Sequence, residues 1–253
     1  MILFLTYHKV VRNSEGEKEF YTTSADQFER ELDLLAASSL QPITPEALVE
    51  GRGSRVEGST RHSYILSFDD GTEDHREVVL PLLQHRKVRA IFFVPTAKLN
   101  RPGYLNDDAV RELSQAGHAI GLHGHEHRRL DDLTEEEIRV QFELSQNIIG
   151  ELTGARPVWF APPGGYSDSP VRALAQEAGV RASRTMRWGY NRTPNLAALE
   201  CIPVNRYTTE KEFGRILKFQ RSNSLYSAKE LVKKVVPARL YECLRDLAQV
   251  RRS

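Results

Sequence analysis

A chain of 253 residues with 40% hydrophobic content is long enough for one large barrel-type domain. Its 35 Lys and Arg against 34 Asp and Glu leave a net charge of +1, which excludes global attraction to nucleic acid or to an acidic membrane surface. The two cysteines, Cys201 and Cys243, supply no disulfide framework and lack the CxxC spacing of a zinc site.

The first stretch, MILFLTYHKV, has no basic region, and its apolar run of five residues is too short for a signal-peptide core or a membrane span. A cytoplasmic location is the expectation, and sparse cysteines suit a reducing compartment. Short apolar, β-rich runs then recur: ILFLT at Ile2, YILSF at Tyr64, AIFFV at Ala90, HAIGLH at His118, PVWFA at Pro157, RASR at Arg181 and CIPV at Cys201. Helical patterns fall between them. SADQFERELDLLAAS opens on Ser24 as N-cap, and TEEEIRVQFELSQNIIGEL opens on Thr134 with Glu137 three residues later, a capping-box signature. Seven such units predict an α/β fold, a barrel with a mainly parallel sheet. The polar segment from Gly51 to His62 is expected to be a mobile loop inside one domain. Residues 1–220 are assigned to the barrel. Residues 221–253, including LVKKVVPARLYECLRDLAQVRR, are expected to form a basic amphipathic helical tail packed on or beside it. Peripheral contact of that tail with a membrane surface or a partner is the sharper reading.

Parallel α/β folds gather their functional groups at the carboxyl ends of the strands. Those ends offer Tyr7 and His8, Asp69 and Asp70, Thr96, the His123, His125 and His127 cluster, and APPGGY from Ala161 to Tyr166. Asp-Gly after a strand reads as a simple turn. The histidines change that reading, because His123 and His127 are four apart and a helical turn after the strand would put both imidazoles on one side. Together with Asp70 they form a mixed nitrogen and oxygen set suited to zinc or another divalent transition metal, with positions left open for water and substrate. Asp69 is then free to take a proton.

SFDDG at Ser67–Gly71, HGHEH at His123–His127 and FAPPGGY at Phe160–Tyr166 resemble the first three motifs of the polysaccharide deacetylases, the NodB-homology carbohydrate esterases of family 4. The resemblance extends to TYHKV, GHAIGLH and the SADQFERELDLL helix, over roughly residues 1–210. It implies a distorted (β/α)7 barrel and removal of an acyl group, usually acetyl, from an amino sugar. It also implies Asp69 as general base, and Asp70, His123 and His127 as ligands of one divalent metal ion, most often zinc, with cobalt or nickel as alternatives. An oxyanion would be held in part by a backbone N–H after Pro163, that of Gly164.

The pattern breaks in two places. Ala161 stands where the third motif usually has an Arg that orients the base, with Gly164 in place of an aromatic; Arg184 and Arg187 are the candidates to replace the Arg. The last motif's acidic His is missing, since no His follows His127. His8 is the expected general acid, ahead of His125 and His75, which read as surface or capping residues, while His118 reads as structural. Tyr166 and Trp188 are candidates to stack on a sugar. The expected partner is an amino sugar or glycan, plausibly a nucleotide-linked or lipid-linked precursor, and not nucleic acid. The competing functions are hydrolysis of a small cyclic amide or imide, and non-catalytic sugar binding.

Overall fold

The computed structural model describes residues 1–12, 17, 19–51, 62–166 and 168–220. The chain divides into two compact units, Met1–Tyr207 and Thr208–Ser253. In the first, seven parallel strands close on themselves: β1 (Ile2–Tyr7), β2 (Ser63–Phe68), β3 (Ala90–Val94), β4 (Ala119–Leu122), β5 (Trp159–Phe160), β6 (Ala182–Trp188) and β7 (Leu199–Pro203). β1 closes the ring because Leu5 lies opposite both Ile202 of β7 and Leu66 of β2. Each strand falls on a run expected from the sequence. PVWFA contributes only two paired residues, whereas RASR extends to Trp188. Two-sided burial explains the unbroken apolar runs, since β1, β2 and β3 are buried along their whole length.

Helices α1 (Ala25–Ala37), α2 (Leu80–Arg86), α3 (Asp107–Gln115), α4 (Glu135–Thr153) and α5 (Ser169–Glu177) alternate with the strands. Their starts were written in the sequence. Ser24 accepts a hydrogen bond from the Gln27 amide, and Thr134 with Glu137 makes the reciprocal capping box of α4. Inside the ring, Ile2, Phe4, Ile65, Ile91, Phe93, Trp159 and Leu199 fill the space, joined by Leu48 and Val49. That apolar packing leaves the polar residues that follow the strands to line the opposite mouth. The second unit contributes a helix at Glu210–Leu217, capped by Thr209. The expected mobile loop, apart from its end residues Gly51 and His62, and the expected tail at 221–253 lie outside the described residues. Among the described residues no helix is long and apolar enough to cross a membrane.

One carboxyl sits in the layer between barrel and helices. Glu31 of α1 is 1% exposed, accepts hydrogen bonds from the Tyr7 hydroxyl and the Gln27 side-chain amide, each at 2.9 Å, and is thereby fastened to the end of β1. Burial outweighs these donors and pushes its pKa from 4.5 up to about 7. The folded protein therefore keeps a proton that the unfolded chain releases, so this contribution to stability is complete below about pH 4.5 and is lost as pH rises through about 7. Glu31→Gln should flatten that slope, raising stability at pH 8 relative to the parent by up to about 3 kcal/mol, at about 1.4 kcal/mol per pKa unit. Urea unfolding of both proteins at pH 5 and pH 8 checks this, and equal pH slopes would contradict it.

Candidate metal and acid-base site

Asp69 extends the β1–β2 ladder, its amide donating to the Tyr7 carbonyl at 3.0 Å, so its side chain still follows strand geometry. Asp70 does not. It adopts φ 75° and Gly71 φ 62°, two left-handed residues in succession that turn the second carboxylate back toward the same mouth. A Cβ on Gly71 would also crowd Val94 Cγ1 at 3.2 Å, so both backbone and space call for glycine.

His123 follows β4, and the segment from His123 to His127 is not the helical turn expected from the four-residue spacing. Gly124 at φ 68° and His127 at φ 63° bend it into an irregular loop, and that bend faces the two imidazoles toward each other. Their rings stand 4.9 Å apart. Asp70 Oδ1 lies 2.9 Å from His127 Nε2 and 3.4 Å from His123 Nε2, and one donor atom from each of the three residues falls within 4.8 Å of the others. Burial alone would raise the Asp70 carboxyl pKa, but hydrogen bonds from His123 and His127 outweigh it and hold the group well below the carboxylate range.

The chemistry of this donor set fits a metal ion. His123 Nδ1 donates to the Ala161 carbonyl at 2.7 Å, which leaves the Nε2 lone pair of a neutral ring pointing at a carboxylate oxygen. A cation bound by both atoms, 3.4 Å apart, would replace the proton of the His123–Asp70 hydrogen bond. Ala161, lacking the Arg side chain, still contributes through its backbone.

Asp69 is 2% exposed and its two oxygens differ. Oδ2 accepts a hydrogen bond from Arg184 Nη2, whose side chain is wholly buried, and Oδ1 is buried with no hydrogen-bond partner. Arg184 thus stands where the sequence lacked an orienting Arg. Its guanidinium lies 5.3 Å from the Phe93 ring centroid and donates to the Met186 sulfur at 2.8 Å. Arg187, the other candidate, reaches the Ala198 carbonyl instead. His8 Nε2 is 3.8 Å from Asp69 Oδ2, and its ring stacks on Tyr21 at 4.5 Å. Burial pushes the His8 pKa down, against the pull of Asp69 and Asp70.

His75, His125 and His118 each have structural partners. His75 is fully buried rather than superficial or capping, and its Nε2 holds the His8 carbonyl at 2.7 Å. His125 Nδ1 pairs with Thr96 Oγ1 at 2.8 Å. His118, at the other end of β4, accepts from the Ala90 amide, and burial together with Arg89 lowers its pKa to about 4.

Pro163 lies beside the ligand loop, since a Cβ on Gly124 would meet its ring at 3.4 Å. Gly164, at φ 67°, is exposed, and Gly165 has no room for a side chain, because a Cβ there would fall 2.4 Å from that of Met186. The Arg129 guanidinium lies over one face of the Tyr166 ring at 3.7 Å. Trp188 packs edge-on against Tyr190 at 5.3 Å and is not among the contacts that build the cluster. Sequence reasoning missed Gln141. This 5% exposed residue of α4 accepts from the backbone amides of His125 and Glu126, both at 2.9 Å, and clamps the loop between the two imidazole donors. Its only sequence signal is a polar residue on the apolar stripe formed by Ile138, Phe142 and Ile149.

A profile of the polysaccharide deacetylase family matches residues 57–183, and the chain belongs to that family. It is 32% identical over 126 residues to chitin deacetylase 1 of Cryptococcus neoformans var. grubii, spanning 49% of this chain and 26% of that protein. It is 31% identical over 130 residues to a peptidoglycan-N-acetylglucosamine deacetylase of Bacillus cereus, spanning 51% of this chain and 57% of that protein. The chain thus spans well under two thirds of these relatives. The fold matches the Streptococcus pyogenes deacetylase PplD, solved with acetate, at a TM-score of 0.76 and 18% identity over 87% of this chain and 98% of that one.

Gln141→Met, which keeps the side-chain volume and removes the acceptor, should weaken zinc binding about 10- to 100-fold. Competition against a fluorescent chelator measures this, and unchanged affinity would show that the loop holds its shape without the clamp.

Proposed function

We propose that the protein is a metal-dependent N-deacetylase that removes an acyl group, acetyl first among the candidates, from an amino sugar in a glycan or glycan precursor. The observation that carries the reading is the asymmetric setting of Asp69, with one oxygen anchored by Arg184 and the other buried and unpartnered beside a three-donor metal cluster. A sugar-binding module has no need of such a carboxylate.

Asp70, His123 and His127 would hold one divalent ion, with zinc favoured by the nitrogen and oxygen donors. Such an ion supplies Lewis acidity, polarising an amide carbonyl and lowering the pKa of water. Asp69 Oδ1 would take the proton of the attacking water, and Arg184 would hold the carboxylate in orientation through Oδ2. The Gly164 amide, on an exposed left-handed turn, is the backbone donor for the developing oxyanion. His8, 3.8 Å from Asp69, would pass a proton to the departing amine. Arg184 also weakens the non-catalytic alternative, because an Arg pairs with Asp69 although the third motif lacks one.

Acetate release from chitin oligomers by the zinc-loaded protein tests the reading. Asp69→Asn should lower kcat about 10²- to 10⁴-fold, the usual scale of general base catalysis, while zinc content stays unchanged. His8→Asn should also lower kcat with zinc retained. Near-normal turnover in Asp69→Asn would sink the mechanism, and near-normal turnover in His8→Asn would remove His8 from it.

A further inference from the structure

We propose that Phe20 and Tyr207 form an aromatic shelf that stacks a pyranose ring of a glycan chain, one or more units away from the amide that reacts. The inference rests on the glycan reading above and adds a second contact to it.

Three large apolar side chains are exposed among the described residues: Val140, Leu144 and Tyr207. Val140 and Leu144 lie on α4. Tyr207, 53% exposed, instead follows β7, at the mouth where β1 ends and the Asp69 cluster sits. It belongs to a continuous aromatic row. The His8 ring stacks on Tyr21 at 4.5 Å and 15°, Tyr21 meets Phe20 edge-to-face at 5.0 Å, and Phe20 meets Tyr207 at 5.7 Å. His8 is itself 3.8 Å from Asp69. The row therefore runs outward from the reacting groups, and its outermost ring is the exposed one.

The shelf is built on fixed backbone. The Arg206 amide donates to the Phe20 carbonyl at 3.4 Å, the Arg206 guanidinium donates to the Glu17 carbonyl, and the Tyr207 amide donates to Asn205 Oδ1 at 2.9 Å. The two Arg206 bonds tie the segment after β7 to Glu17 and Phe20, and the third shapes the turn that carries Tyr207. An aromatic face with few rotatable bonds loses little entropy on binding and offers an apolar surface to a ligand whose edges are polar. A pyranose matches it, with C–H bonds across one face and hydroxyls around the rim. Single exposed apolar residues need no explanation, but one that ends a row starting at a catalytic carboxylate is continuous with the substrate's own site.

The test compares N-acetylglucosamine oligomers of two and six units with 4-nitrophenyl acetate, which reports the reacting centre without any sugar. The parent protein should favour the hexamer over the dimer. Tyr207→Ala should lower kcat/KM for the hexamer about five- to tenfold, chiefly through KM, a loss of the size expected for one aromatic contact. Its rates on the dimer and on 4-nitrophenyl acetate should stay at the parent level, which also reports correct folding. Phe20→Ala should act in the same direction, and Tyr207→Trp should retain the preference. A parent that treats dimer and hexamer alike, or a Tyr207→Ala variant that keeps the full preference, overturns the shelf. Hydrolysis of 4-nitrophenyl acetate with no acetate released from either oligomer overturns the glycan reading, and the shelf with it.

Discussion

The ion pair between Arg184 and Asp69 is the constraint on which the rest of the site depends. Both side chains are buried, and a buried charge without its partner typically costs several kcal/mol, so neither residue is tolerable alone. The pair spans the barrel from β6 to the end of β2 and fixes which Asp69 oxygen is held and which is left over. The adjacent Asp70 escapes this arrangement only because two left-handed residues turn it aside. Two neighbouring carboxylates thereby receive different surroundings, the condition under which one can accept a proton while the other remains a ligand.

The candidate metal cluster depends on supports from elsewhere in the chain. Asp70 and His127 both occupy the left-handed region that side chains disfavour, and such geometry persists only where the surroundings impose it. Gln141 on α4, Thr96 after β3 and the Ala161 carbonyl after β5 hold the loop that leads to His127, each through one or two hydrogen bonds, and the Leu105 amide holds the Gly71 carbonyl beside Asp70 at 2.9 Å. The closed ring of parallel strands holds these three elements in register, and the apolar packing of Phe4, Phe93 and Trp159 supports the site from below, with Phe93 against Arg184 and His123. Residues 57–183, the portion matched by the family profile, contain all three candidate ligands and Asp69; Arg184 stands one residue beyond it.

Much of this was legible in the sequence, for identifiable reasons. Parallel strands buried on both faces read as continuous apolar runs, so β1, β2 and β3 were plainly visible, and Ser24 and Thr134 announced their helices through cap chemistry. Asp70, His123 and His127 were readable as donors because donor type and spacing are sequence properties. The path between the two histidines was not, because Gly124 and a left-handed His127 replaced the helical turn that the spacing suggested. Long-range partners were also hidden. Nothing local in SRTMRW tells Arg184 from Arg187; strand alternation sends one into the barrel and the other outward. His75 looked superficial for the same reason, since only the fold brings it beneath His8. Tyr166 was readable as an aromatic near the site, but not as one covered by Arg129.

The most direct test is elemental analysis of the purified protein beside Asp70→Ala and His123→Ala after identical chelator washing and resupply of zinc. The account predicts about one divalent ion per parent chain and loss of that ion in both variants, with all three proteins folded by circular dichroism. A folded parent that retains no metal, or variants that keep it, would contradict a metal site built from Asp70, His123 and His127.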